Sequence, residues 1–141
     1  MIKLKDILNL TERKVYTVNP DTKVIDAVNI MNDNNIGSVF VVEDDRLLGI
    51  FTEKNLIKIC AEGHDLKTSL IKSVMTTKLV PSVCDENIHI SMIKMTKNRI
   101  RYLPIMENGK FIAMVSIGDL VKKEIDSMQS EIETLQRYIT Q

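Results

Sequence analysis

Tryptophan is absent, and phenylalanine and tyrosine bring the aromatic content to only 4%, so the chain has little with which to stack nucleic-acid bases. It also lacks an excess of either charge. Nineteen basic and nineteen acidic residues leave a formal net charge of zero, which removes the bulk attraction that non-specific nucleic-acid binders need. No apolar run approaches the roughly 18 residues of a membrane span. The opening Met1-Ile2-Lys3-Leu4-Lys5-Asp6 has neither a signal-type apolar core nor an Arg-rich, acid-poor transit pattern. Cysteine is confined to Cys60 and Cys84, in no C-x-x-C pair or ligand cluster; two reduced structural thiols fit a cytosolic protein. The expectation is a cytoplasmic chain with no nucleic-acid and no membrane partner.

What is present is a repeat. The 141 residues, 44% apolar and 27% charged, have the size and balance of a globular chain that buries roughly two-thirds of its unfolded surface. Sliding the sequence by 64 positions aligns 20–56 with 84–120 without a gap. Asp21 meets Asp85, Met31 meets Met95, Asn34-Asn35-Ile36 meets Asn98-Arg99-Ile100, Glu43 meets Glu107 and Leu56 meets Leu120. The apolar pattern carries more weight than these identities: Val39, Val41 and Val42 fall on Leu103, Ile105 and Met106.

Each unit reads β-α-β-β-α. A short extended piece (Val15–Val18, Leu79–Val83) precedes an Asp-rich start signal, Asn19-Pro20-Asp21-Thr22 or Cys84-Asp85-Glu86-Asn87. Apolar residues then recur at helical spacing, at Val24, Ala27, Val28 and Met31 and at Ile88, Met92 and Met95. A β-rich run, a polar turn and a second strand follow, and a helix opens at Thr52 or Ser116, both good N-cap residues. The fold class is α+β, two such repeats packed sheet to sheet with pseudo-two-fold symmetry. The boundaries are an N-terminal capping segment over 1–14, repeat one over 15–60, a linker over 61–72, repeat two over 73–122 and a C-terminal amphipathic helix over 123–141. In that last segment Val121, Ile125, Met128, Ile132, Leu135 and Ile139 step by 4, 3, 4, 3, 4, a seam too narrow for packing on its own domain and suited to pairing between subunits. A homodimer is expected.

The repeat resembles the cystathionine-β-synthase (CBS) domain pair, or Bateman module, over residues 15–122. Ser116-Ile117-Gly118-Asp119 after Ala113-Met114-Val115 is similar to the family's hydroxyl-x-x-Asp motif at the start of the last helix. The first unit has Thr52-Glu53-Lys54-Asn55, with Asn in place of Asp. Leu103-Pro104, preceded by Asn98-Arg99-Ile100-Arg101-Tyr102, resembles the family's apolar-Pro element. The resemblance implies a stand-alone regulatory module that binds AMP, ADP, ATP, NAD(H) or S-adenosylmethionine in the cleft between repeats, AMP or NAD(H) preferred, with Arg101 at a phosphate-reaching position.

Chemistry supports those roles. A helix N-terminus presents unpaired N–H groups and partial positive charge, which suits phosphate, and the Ser116 hydroxyl adds a donor. Asp119, one turn on, can accept from both ribose hydroxyls. Arg99 and Arg101 alternate along an extended lead-in and so face one way, as a phosphate clamp. Adenine would lie against Met114 and Leu103, its edge read by backbone such as that of Val80, with Tyr102 and Pro104 alongside. A second site would use Gly37, Ser38, Thr52, Lys54, Asn55 and Val18. Plain capping competes as an explanation of Ser116 and Asp119. No Walker A, G-x-G-x-x-G, G-x-S-x-G or H-E-x-x-H pattern occurs. With His64 and His89 alone and no metal-ligand spacing, neither a catalytic residue, a metal nor a catalytic cofactor is expected. The competing reading is an interaction scaffold with vestigial sites and an unidentified protein target; the resemblance to CBS-pair proteins that act on redox partners implies a thioredoxin-like protein or another enzyme.

Overall fold

The computed structural model describes residues 1–8 and 15–140; the remainder of the expected N-terminal capping segment over 1–14 lies outside the described residues. The elements run α1 (Leu4–Leu8), β1 (Thr17–Val18), α2 (Val24–Asp33), β2 (Ser38–Glu43), β3 (Arg46–Thr52), α3 (Glu53–Ala61), a 3-10 turn (Ile71–Ser73), β4 (Ser82–Val83), α4 (Ile88–Asn98), β5 (Tyr102–Glu107), β6 (Lys110–Ser116) and α5 (Ile117–Ile139). They form two three-stranded sheets, ordered β1-β2-β3 and β4-β5-β6. β1 pairs parallel with β2, and β2 antiparallel with β3. No helix among the described residues is long and apolar enough to cross a membrane.

The offset of 64 holds at the level of single bonds. Ile36 N–H donates to Met31 O and Ile100 N–H to Met95 O, both at 3.0 Å; Glu53 N–H donates to Gly37 O at 3.1 Å and Ile117 N–H to Arg101 O at 2.8 Å. Both hairpins close through two residues of positive φ, Asp44-Asp45 and Asn108-Gly109. That geometry matches the right-handed strand twist, and Asn, Asp and Gly adopt it most readily. The start signal of the first repeat is a turn rather than a cap: Asp21 N–H donates to Asn19 Oδ1 at 2.9 Å, while the cap position itself is Lys23, whose side chain makes no capping bond. In the second repeat Asn87 does cap, accepting from His89 N–H at 2.7 Å.

The described residues divide into two compact units. One core gathers Val18, Val24, Ala27, Met31, Val39, Val41, Phe51, Ile59 and Ile71. Residues 61–72, read from sequence as a linker, thus supply Ile71, which is fully buried. The other core gathers Leu4, Ile7, Ile88, Met95, Leu103, Ile105, Val115 and Leu120, so the N-terminal segment completes the second repeat. Its bonds repeat those of Ile71–Ser73. Leu4 N–H donates to Glu86 O as Ile71 N–H does to Thr22 O, and Lys5 N–H to Cys84 O as Lys72 N–H does to Pro20 O. Even the ion pairs match, Lys5–Asp85 at 3.1 Å and Lys72–Asp21 at 2.9 Å. The hidden register is 67 rather than 64, with Leu4-Lys5-x-Ile7-Leu8 falling on Ile71-Lys72-x-Val74-Met75.

One glycine is fixed by close approach. A Cβ on Gly49 would come within 2.8 Å of both Met75 Sδ and Thr76 O, where Ile50 and Thr76 exchange two backbone bonds of 2.9 Å. Gly49→Ala is expected to destabilise the chain by about 1–3 kcal/mol in denaturant unfolding. A loss below about 0.5 kcal/mol would show that the segment around Thr76 gives way freely. Ala113, its counterpart at offset 64, shows that the repeat itself does not require glycine there.

Candidate functional site

In the second repeat, β6 ends as α5 begins, and Ser116 stands at the junction with extended φ −102° and ψ 161°. Its Oγ accepts from Asp119 N–H at 3.1 Å, and Asp119 Oδ2 accepts from Ser116 N–H at 2.9 Å. This is a reciprocal capping box. The competing explanation of the pair is therefore present in full, and a ligand role must come in addition to it. Gly118 leaves the first turn open, since an added Cβ would meet only Ser116 Oγ, at 3.6 Å.

Arg101 and Tyr102 lead into β5 beside this helix end, tied to it by the Ile117–Arg101 backbone bond. The Arg101 side chain is exposed. The expected alternation of Arg99 with Arg101 does not hold. Arg99 terminates α4 in the left-handed conformation, φ 54° and ψ 44°, as Asn35 does at φ 53° in the first repeat. A helix terminator reverses the chain, so the two-residue period of a strand does not reach it. Leu103, expected against adenine, is fully buried within the second core, whereas Val80 and Met114 are half-buried. Pro104 is buried on the strand position between Leu103 and Ile105.

The first repeat builds the same box with a different outcome. Asn55 Oδ1 accepts from both Thr52 N–H and Thr52 Oγ1, each at 2.9 Å, and Asn55 Nδ2 donates to Thr76 Oγ1 at 3.1 Å. Both ends of the amide are thus engaged. Thr76 was not legible from the repeat, because it sits 21 residues beyond Asn55 in the strand-like segment that bridges Ile50. Val18 and Ser38 are buried, Gly37 is half-buried and Lys54 is exposed.

The second repeat also holds a polar cluster, at the start of α4, that the repeat alone does not announce. Glu86 accepts from Ser91 Oγ at 2.6 Å and pairs with Lys94, and Lys94 Nζ also donates to Pro81 O at 3.0 Å. Burial pushes the Glu86 carboxyl up, but hydrogen bonds from Lys94 and Ser91 outweigh it and hold the group below the ordinary glutamate value. Ser82 is buried in the same repeat. The first repeat has Val18, Thr22, Ala27 and Ile30 at the places of Ser82, Glu86, Ser91 and Lys94. That contrast was the available signal.

His64 and His89 lie on the surface against Glu62 and Glu124, at 3.2 and 2.9 Å. No three His, Cys, Asp or Glu side chains among the described residues group as a metal site. Cys60 and Cys84 are free thiols.

The family model for the CBS domain matches residues 4–62 and 71–126. Among curated proteins, the chain is 35% identical over 125 residues to the mitochondrial CBS domain-containing protein CBSX3 of Arabidopsis thaliana, covering 84% of this chain and 61% of that protein. It therefore spans about three-fifths of that relative's length. A signal-transduction protein with CBS domains from Burkholderia ambifaria superposes with a TM-score of 0.85 at 32% identity, covering 89% of this chain and 95% of that one. Two more distant structures share the fold. One is the CBS domain protein PAE2072 of Pyrobaculum aerophilum in complex with AMP (TM-score 0.75, 16% identity, 84% and 89% covered). The other is the CBS domain pair of protein MJ0100 with 5′-methylthioadenosine and S-adenosyl-L-methionine (TM-score 0.76, 23% identity, 86% and 98% covered). With both repeats matched across most of its length, the chain belongs to the CBS domain family.

Proposed function

We propose that this protein is a regulatory module whose second repeat binds an adenosine-containing nucleotide at the N-terminal end of α5. The observation that carries this reading is the contrast between the two capping boxes. Asn55 shows that an amide closes the box completely, so the negative charge of Asp119 is surplus to capping. A carboxylate that already accepts from Ser116 N–H still has acceptor capacity for ribose hydroxyls. The open Gly118 turn and the exposed Arg101 suit phosphate, and Val80 and Met114 offer apolar contact to the base.

Relatives of the same fold bound to AMP, 5′-methylthioadenosine and S-adenosyl-L-methionine support adenosine as the shared element; AMP is the first choice here and NAD(H) the second. The first repeat, with its Asn55 amide engaged at both ends, carries no comparable site. Bound nucleotide would then set the state of the module that a protein target reads.

A thermal-shift panel of AMP, ADP, ATP, NAD(H) and S-adenosylmethionine tests this directly. A ligand at about 100 times its dissociation constant stabilises by roughly 2.7 kcal/mol, equivalent to a rise of about 5–10 °C for a chain of this size. A flat panel at millimolar concentration would favour the scaffold reading instead.

A further inference from the structure

The last turns of α5 stand clear of the cores of the described residues. From Ile125 to Thr140 every residue is exposed, and the seam residues Val121, Ile125, Met128, Ile132, Leu135 and Ile139 are 38–80% exposed. Most helical stability in proteins comes from packing an amphipathic face rather than from propensity, and a row of six apolar side chains on one face is what a partner helix covers. The occupant of that face can be read from residue types and charge.

Placing Val121 at d puts Ile125, Ile132 and Ile139 at a, and Met128 and Leu135 at d. β-branched isoleucine at every a, with Met128 and Leu135 at two of the three d positions and β-branched Val121 at the first, favours two parallel strands. The flanking positions point the same way. In a parallel pair the g residues Glu124 and Glu131 meet the e residues Gln129 and Gln136 of the second copy, and a glutamine amide can donate to a carboxylate. The antiparallel register that matches all six seam layers brings Glu131 against its own copy, two like charges near the axis.

We propose that α5 pairs with the α5 of a second copy of this chain as a parallel, in-register, two-stranded coiled coil over Val121–Ile139. The seam begins one residue after the Leu120 that anchors α5 in the second core. Parallel pairing therefore places the Ser116–Asp119 turns of both copies at the same end of the pair. This inference does not depend on nucleotide binding, and its test uses none.

Light scattering of the full chain at about 100 μM, suited to a micromolar association, is expected to give twice the chain mass. Ile125→Glu with Ile132→Glu, at exposed positions outside either core, is expected to return it to a single chain by weakening association at least about a hundredfold. In a Cys60→Ser, Cys84→Ser background, Ile139→Cys alone is expected to form a disulfide-linked dimer on oxidation. Antiparallel strands would separate the two introduced thiols by about 27 Å, far beyond the roughly 7 Å that a disulfide spans. A wild-type monomer, a larger assembly, a dimer that survives the double glutamate change, or cross-linking through Gln129→Cys in place of Ile139→Cys would each overturn the proposal.

Discussion

Asp119→Asn is expected to lower affinity for the stabilising nucleotide by about 10- to 100-fold while leaving the free protein within about 1 kcal/mol of wild type. The two effects separate because the side chain does two jobs. As a cap it accepts from Ser116 N–H at 2.9 Å, and the first repeat shows that asparagine does this equally well. What the change removes from the free protein is the attraction of a first-turn carboxylate for the helix dipole, about 0.3–1 kcal/mol. What it removes from the complex is a charged acceptor for ribose hydroxyls, a class of hydrogen bond contributing about 1.5–3 kcal/mol. Asp119→Ala differs in kind, since it also loses the cap and would cost the free protein about 0.5–2 kcal/mol. Unfolding curves and binding titrations on both variants check this. If Asp119→Asn bound as tightly as wild type, capping alone would explain the residue.

A second large effect is expected away from the helix end. Lys94→Met leaves Glu86, with only 10% of its side chain exposed, facing Ser91 without its cation. Breaking a fully buried pair costs about 3–5 kcal/mol; with the lysine 30% exposed, the expected loss is about 2–3 kcal/mol. The first repeat indicates the compensating set. Replacing Glu86→Thr, Ser91→Ala and Lys94→Ile together installs the residues found at Thr22, Ala27 and Ile30, and is expected to restore stability to within about 1 kcal/mol of wild type. The pH dependence follows from the same network. Because folding lowers the Glu86 pKa, its contribution is present above the ordinary glutamate value and is lost as pH falls through the lower folded value. Lys94→Met should therefore lose most of its stability difference from wild type in acid. Equal unfolding midpoints for Lys94→Met and wild type at neutral pH would mean that the pair is solvated and contributes nothing.

Much of this architecture is legible in the sequence because the repeat is carried by apolar positions that must be buried. Val39, Val41 and Phe51 and their partners Leu103, Ile105 and Val115 all lie in cores, and both predicted N-caps, Thr52 and Ser116, cap. The segments that escaped follow a different register. Leu4–Leu8 and Ile71–Ser73 do equivalent work through backbone bonds, which leave little trace in side-chain identity. A strand's period puts Arg99 and Arg101 on one face, whereas the helix runs on to Asn98 and stops at a left-handed residue. Thr76 leaves no signal in the repeat because its bond to Asn55 is a tertiary contact outside the aligned span. The carboxylate at position 119 and the amide at position 55, by contrast, are visible in the sequence itself, and so are Gly118 against Lys54 and Arg101 against Gly37.

Calorimetric titration of AMP, and separately of 2′-deoxy-AMP, into the wild-type chain tests the central claim most directly. The account predicts one AMP per chain and affinity for 2′-deoxy-AMP lower by at least about tenfold, because removing one hydroxyl leaves part of the Asp119 carboxylate without its donor. Two equivalent sites per chain, indifference to the 2′-hydroxyl, or no binding of AMP would contradict it.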